Sequence, residues 1–280
     1  MKQRIITALI LAPLVMLGIF ELSLPMFIVM LAAISMLGFW EWTQFVESKS
    51  RMAALVPATL VGAISLFVIP FDALNLNMLS NAHYAVLTVG VIWWVAASWL
   101  AITYPNSTPI WKNSKLLRHA FGILTLLPFF WSVVMLRAEN VQLDPYHGAR
   151  LVLFVCFLVW AADSGAYFAG KSFGKRKMAP KVSPNKTIEG LVGGIIAALV
   201  VGWFTAGWFD IHFTSAWSMI VITLATVVIS VLGDLVESMF KRVSGIKDSS
   251  NLIPGHGGIL DRIDSLTAAF PVFALLYFLF

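Results

Sequence analysis

The feature that most constrains this chain is the length of its apolar runs. Nine of them are long enough to cross a bilayer as helices, at about residues 5–22, 24–42, 52–70, 84–104, 119–137, 150–170, 188–209, 214–238 and 262–280. A helical span needs roughly 17–25 residues, and backbone polar groups inside lipid must be satisfied within the segment. Composition agrees: 59% of residues are hydrophobic, only 12% are charged, and the mean hydropathy is +0.86. A soluble domain carries about a quarter charged residues. The expected fold class is therefore all-α, a polytopic integral membrane protein of nine transmembrane helices. Pro13, Pro57, Pro128 and Pro271 fall inside these runs, where membrane helices tolerate them. Met1-Lys2-Gln3-Arg4 and the apolar run after it resemble a secretory signal, but no small-residue cleavage site follows directly, and an uncleaved first span is expected.

The net charge of +5 does not point to nucleic acid, because the cations are confined to short loops. With the N-terminus in the cytoplasm, the cytoplasmic set is Lys2, Arg4, Lys49, Arg51, Lys112, Lys115, Arg118, Lys171, Lys175, Arg176, Lys177, Lys181, Lys186, Lys241, Arg242, Lys247 and Arg262. Only Arg137 and Arg150 of the 19 remain outside. Such an asymmetry is a positive-inside signal, and nine spans place the C-terminus on the outer face. The single cysteine, Cys156, lies in an apolar run and reads as a small buried hydrophobe.

Polar residues gather after residue 160, in a C-terminal region of about four spans (151–280) that follows about five nearly featureless ones (1–150); the two are expected to form one integrated membrane unit. Asp163-Ser164-Gly165 and Tyr167 lie near the cytoplasmic end of span six, where a carboxylate is a functional-site hypothesis or a headgroup-level residue paired with a lysine. The loop Ser183-Pro184-Asn185-Lys186-Thr187-Ile188-Glu189-Gly190 enters span seven, and Ser183 or Thr187 is placed to cap that helix. Span eight ends Asp234-Leu235-Val236-Glu237-Ser238, and span nine begins Asp261-Arg262-Ile263-Asp264-Ser265. Residues at i, i+3 and i+4 share one helix face, so each element carries an acidic patch. Between them lie Lys241-Arg242, Lys247-Asp248 and Pro254-Gly255-His256-Gly257-Gly258. Singly, these residues have ordinary readings: Lys241 and Arg242 as cytoplasmic cations, His256 as a turn residue, Asp261 and Arg262 as an ion pair. Together, converging carboxylates need neutralising cations, and hard oxygen donors without cysteine suit Mg²⁺ or Mn²⁺. The flanking basic residues suit a phosphate-rich substrate, so phosphoryl or nucleotidyl transfer is the chemistry these parts serve. A His-Glu-x-x-His pattern is absent.

Ser238, Phe240, Lys241, Arg242, Lys247, Asp248, Ser250, Ile253, Pro254, His256, Gly257, Gly258, Asp261, Arg262 and Asp264 stand at spacings that resemble the signature of the phosphatidate cytidylyltransferases, also called CDP-diacylglycerol synthases, with no departure between 238 and 264. The 183–190 segment and Asp163 with Tyr167 resemble the same family. The resemblance covers about residues 160–265 and leaves the first 150 without an assigned role. It implies transfer of the cytidylyl group of CTP to phosphatidic acid, giving CDP-diacylglycerol and pyrophosphate, in the bacterial inner membrane. It also implies a Mg²⁺-dependent, two-cation centre with room for a second, monovalent ion, and it allows a homodimer. By matched position, Asp234 and Asp261 lead as metal ligands, with Asp264 and Glu237 supporting them. Asp234, Asp261, Asp264, Lys241 and Arg262 form the implied catalytic set. Lys186, Thr187, Lys241, Arg242, Lys247, His256, Gly257 and Gly258 form the implied nucleotide-binding set. Three other readings share the physics, one of them a lipid transferase that consumes CDP-diacylglycerol, whose Asp-rich pattern with Asp-Gly and Ala-Arg elements is not found here. A secondary transporter also uses intramembrane acids and broken helices, but it places them in two repeated halves. A lipid kinase using CTP is separated only by the signature.

Overall fold

The computed structural model describes residues 2–71 and 78–280, apart from the side chains of residues 2–6 and 8. Lys2 and Arg4, assigned above to the cytoplasmic face, therefore have side chains outside the described residues. In chain order the helices are α1 (Lys2–Glu21), α2 (Leu24–Val46), α3 (Arg51–Val68), α4 (Asn81–Ile102), the one-turn α5 (Thr108–Trp111), α6 (Lys115–Ala138), α7 (His147–Phe173), α8 (Ile188–Trp208), α9 (Ala216–Val243) and α10 (Leu260–Leu279). A two-stranded hairpin, β1 (Lys177–Ala179) and β2 (Ser183–Thr187), joins α7 to α8.

Among the described residues, eight of these helices are long and apolar enough to cross a membrane, and all eight coincide with expected spans. The ninth expected span, α1, is helical from Lys2 to Glu21, and among its described residues Leu9–Glu21 forms an apolar helical stretch. The protein is all-α and polytopic as anticipated. Large apolar side chains such as Leu60, Phe67, Ile92, Trp203 and Phe204 stand outward; lipid, not water, is the solvent that makes such a surface stable. Polar side chains set several helix starts: Ser50 Oγ accepts from Ala53 N in α3, Ser114 Oγ from Leu117 N in α6, and Ser215 Oγ from Ser218 N in α9.

The core lies where the α9–α10 pair packs against α4, α6 and α7. Beside it, α7 and α8 approach closely through small residues. A Cβ on Gly194 would lie 2.6 Å from Ala162 O, and one on Gly165 would lie 2.6 Å from Ala197 Cβ. Small residues at such crossings let backbones meet where no hydrophobic force operates between helices. At one end of the molecule, Arg137 on α6 donates Nε to Ile19 O at 3.0 Å and Nη2 to Leu22 O at 3.1 Å, satisfying carbonyls left open at the end of α1. At the other end Thr7 Oγ1, near the start of α1, donates to Pro254 O at 3.0 Å. The beginning of the chain and the 244–259 turn are thus at the same end of the bundle. Arg118, counted above among the cytoplasmic cations, is 5% exposed; it donates Nη1 to Phe45 O at 2.9 Å and pairs with Glu47 at 3.0 Å, which makes it part of the joint between α2 and α6.

Three local features differ from the expectation. α9 does not stop at Ser238 but runs on to Val243, so Lys241 and Arg242 are helical residues rather than loop residues. The extra turn is held by Phe240, 1% exposed, whose ring centroid lies 4.9 Å from Trp42 and 4.9 Å from Trp111. The loop into span seven is a hairpin, with Lys177 opposite Thr187 and Ala179 opposite Ser183. The helix α5 was not anticipated; it presents Trp111 to the Phe240 cluster.

Candidate active site

On α9 a four-residue rise returns the side chain to the same face, so Asp234, Ser238 and, one turn further, Lys241 follow one another, with Glu237 beside them. Lys241 Nζ lies 3.3 Å from Glu237 Oε1 on its own helix and 2.9 Å from Asp261 Oδ1 on α10. The side chains are 14%, 5% and 4% exposed for Lys241, Glu237 and Asp261. One lysine therefore serves two acids that burial would otherwise leave uncompensated. Among the described residues neither Glu237 oxygen accepts a hydrogen bond, and Lys241 is its ion-pair partner. Glu237 faces a small void of about 10 Å³, which Asp264, Trp94 and Thr267 also line.

Asp261 is held from the other side by the turn that precedes it. Its Oδ2 accepts from Gly258 N at 2.8 Å, Ser249 N at 2.9 Å and Ser249 Oγ at 3.0 Å. Gly257 adopts φ +84°, a conformation that L residues rarely take, and a Cβ there would come within 2.6 Å of Asp261 Oδ2. The glycines of the His256-Gly257-Gly258 run are thus required by the close approach of backbone to carboxylate.

The hairpin brings the third group. Lys186 Nζ, at the end of β2, lies 2.5 Å from Asp234 Oδ2 and 3.2 Å from Val231 O. Asp163 takes no ion pair among the described residues; Lys186 pairs with Asp234 instead. Asp163, Tyr167, Asn185, Lys186, Thr187 and Asp234 line a cavity of about 310 Å³ between α7, α8, α9 and the hairpin. Thr187, not Ser183, caps α8, its Oγ1 accepting from Gly190 N at 3.1 Å. Glu189 fastens the hairpin base: it accepts from Lys175 N at 3.0 Å and Arg176 N at 3.1 Å, and pairs with Arg176 Nε at 3.0 Å. Arg242 Nε holds the hairpin tip through Val182 O at 3.2 Å.

Of the residues singled out in the sequence, Asp234 meets Lys186, and Glu237, Lys241 and Asp261 form one linked set, with Asp264 across the void from Glu237. Arg242, Lys247 and Arg262 are exposed, and His256 is half-buried at the turn. Among the described residues no three His, Cys, Asp or Glu side chains gather closely enough to form a ready metal cage. Sequence reasoning missed Glu41, which lies on α2, is fully buried and accepts four hydrogen bonds from the turn. The signal was available, because an acid within an expected span (24–42) is a site candidate by default.

Fold and site together define a membrane-embedded protein with a cavity lined by Asp163, Lys186 and Asp234 among its helices. The model of the cytidylyltransferase family matches residues 2–280, and the chain belongs to that family of nucleotidyltransferases. It is 45% identical to a phosphatidate cytidylyltransferase of Haemophilus influenzae, over 99% of each chain. It is 43% identical to one of Pseudomonas aeruginosa, over 99% of this chain and 96% of the relative, and 35% identical to one of Bacillus subtilis, over 100% and 97%.

Proposed function

We propose that this chain joins CTP to phosphatidic acid, giving CDP-diacylglycerol and pyrophosphate, at a cytoplasm-facing site in the bacterial inner membrane. The observation that carries the reading is the pairing of Lys186 with Asp234 at the 310 Å³ cavity, and of Lys241 with Glu237 and Asp261 further along α9. Lysines bound to carboxylates in the free protein have an alternative partner in phosphate oxygens. When they turn to it, the carboxylates become available to a cation. The names borne by the full-length relatives supply the two substrates.

In the reaction, an oxygen of the lipid phosphate forms a bond to the α-phosphorus of CTP, and the bond from that phosphorus to the bridging oxygen breaks, releasing pyrophosphate. The attacking group is already ionised, so no protein base is required. The residues then act by positioning and charge neutralisation. Lys186, Lys241, Arg242, Lys247 and Arg262 bind phosphate oxygens, and the His256-Gly257-Gly258 turn shapes the approach to the triphosphate. Mg²⁺ fits this donor set: the donors are hard oxygens, Glu237 has buried carboxylate oxygens without donors, and Mg²⁺ ordinarily uses one or two carboxylates together with substrate phosphates rather than an all-protein cage. Asp234 and Asp261 would hold it, supported by Asp264 and Glu237, and it would supply charge neutralisation of the triphosphate.

The test is an assay of the purified protein with Mg²⁺, phosphatidic acid and CTP labelled at either the α or the γ phosphate. The α label enters lipid and the γ label leaves as pyrophosphate if the reading is right. Entry of the γ label into lipid would establish a kinase instead.

A further inference from the structure

We propose that Glu41 is a positioning residue for this reaction, acting from α2 through the 249–260 turn on Asp261; the inference rests on the functional reading above. Glu41 is 0% exposed and has no ion-pair partner among the described residues. Among the described residues its hydrogen bonds all come from the turn and the start of α10. Oε1 accepts from Ser250 Oγ at 2.6 Å and Ile259 N at 2.9 Å, while Oε2 accepts from Leu260 N at 2.6 Å and Ser249 Oγ at 3.0 Å. One helical turn on, Gln44 donates Nε2 to Ser249 O. A Cβ on Gly258 would meet Glu41's carboxylate at 2.5–2.6 Å, so the turn closes directly over this acid.

The chemistry of the two partners explains the fit. Ile259, at the N-cap of α10, offers no side-chain acceptor, and the first N–H groups of a helix need one. Glu41 supplies it from another helix, at the positive end of the α10 dipole. The link to Asp261 is Ser249, whose Oγ is 3.0 Å from Glu41 Oε2 and 3.0 Å from Asp261 Oδ2. A hydroxyl has one proton to donate, so it serves one carboxylate at a time while its backbone N–H stays on Asp261 at 2.9 Å. Glu41 and Asp261 thus grip the same serine and the same helix start from opposite sides. This gives the otherwise unassigned N-terminal half a role: α2 sets where Asp261 stands.

Glu41→Gln separates this role from mere occupancy. In either orientation the amide turns an NH₂ toward a backbone N–H, of Ile259 or of Leu260, so one donor faces another. Hydrogen exchange in the substrate-free, detergent-solubilised full chain should show faster exchange at residues 258–260 in the variant. Its kcat should fall on the order of 10²-fold, the effect of an ångström-scale misplacement. Glu41→Asp keeps the acceptors with a shorter reach and should recover part of that loss. A Glu41→Gln enzyme with wild-type exchange, or with kcat within twofold of wild type, would overturn the proposal. So would equal loss in Glu41→Gln and Glu41→Asp. If Glu41→Gln does not fold, Ser250→Ala and Gln44→Ala each remove one bond from the same grip. Both should speed exchange at the turn and lower kcat several-fold, and wild-type kcat in both would overturn the proposal. The exchange measurement uses no substrate. A wild-type protein that transfers no cytidylyl group therefore sinks the functional reading, while exchange still decides whether Glu41 holds the turn.

Discussion

Replacing Lys241 by methionine keeps the apolar stem and removes the ammonium that neutralises Glu237 and Asp261. Those two carboxylates are 5% and 4% exposed, and the lysine lies 3.3 Å from one and 2.9 Å from the other. Removing one partner of a buried pair destabilises by about 3–5 kcal/mol, chiefly because the remaining charge is left uncompensated. Asp261 keeps three other donors, whereas Glu237 keeps none, so most of the loss falls on Glu237. At roughly 2–4 °C per kcal/mol for a chain of this order of size, the melting temperature of the solubilised protein should drop by on the order of 10 °C. Adding Glu237→Gln in the same molecule removes the stranded charge and should restore a large part of that drop. Transfer activity should stay lost in both variants. Thermal denaturation followed by size-exclusion chromatography reads the first two outcomes, and transfer of label from CTP to lipid reads the third. A Lys241→Met protein as stable as wild type, or a double variant no more stable than the single one, would refute this account of the Lys241 pairs.

Three further outcomes follow from other parts of the fold. Thr187→Val removes the cap on Gly190 N and should destabilise the protein by about 1 kcal/mol, measured by the same denaturation assay. Gly194→Leu pushes a side chain against Ala162 O, where even a Cβ would stand at 2.6 Å; the α7–α8 pair should be forced apart, and the variant should fail to accumulate in membranes. Cys156 is buried, so single cysteines can be introduced without removing it. Lys181→Cys should react with an impermeant thiol reagent only from the cytoplasmic side and Leu143→Cys only from the outer side; the reverse pattern would invert the proposed orientation.

The helices were legible because lipid permits few ways to satisfy a backbone, and runs such as 24–42 and 214–238 leave little choice. Boundaries were less legible where tertiary packing decides them. α9 gains its last turn from Phe240 inserted among Trp42, Trp111 and Phe45, none of which is near it in sequence. The hairpin was invisible to pattern because Ser183-Pro184-Asn185-Lys186-Thr187 has no alternation of apolar and polar residues; bonds from Glu189 and Arg242 hold it. The acids and lysines of the site were readable from their spacing, but their pairing was not. Nothing local links Lys186 to Asp234 rather than to Asp163. Glu41 was readable as an acid in a span, yet its partners lie more than 200 residues along the chain.

The central claim, that the turn and the start of α10 present Asp261 to the reacting phosphates, is tested most directly by Asp261→Asn. The variant and the wild type would be assayed side by side with CTP labelled at the α phosphate and with phosphatidic acid, after each is shown to be membrane-inserted and monodisperse. The account predicts that wild type moves the label into lipid and that Asp261→Asn, equally well inserted, moves none. Substantial transfer by Asp261→Asn would contradict it and remove Asp261 from the reaction.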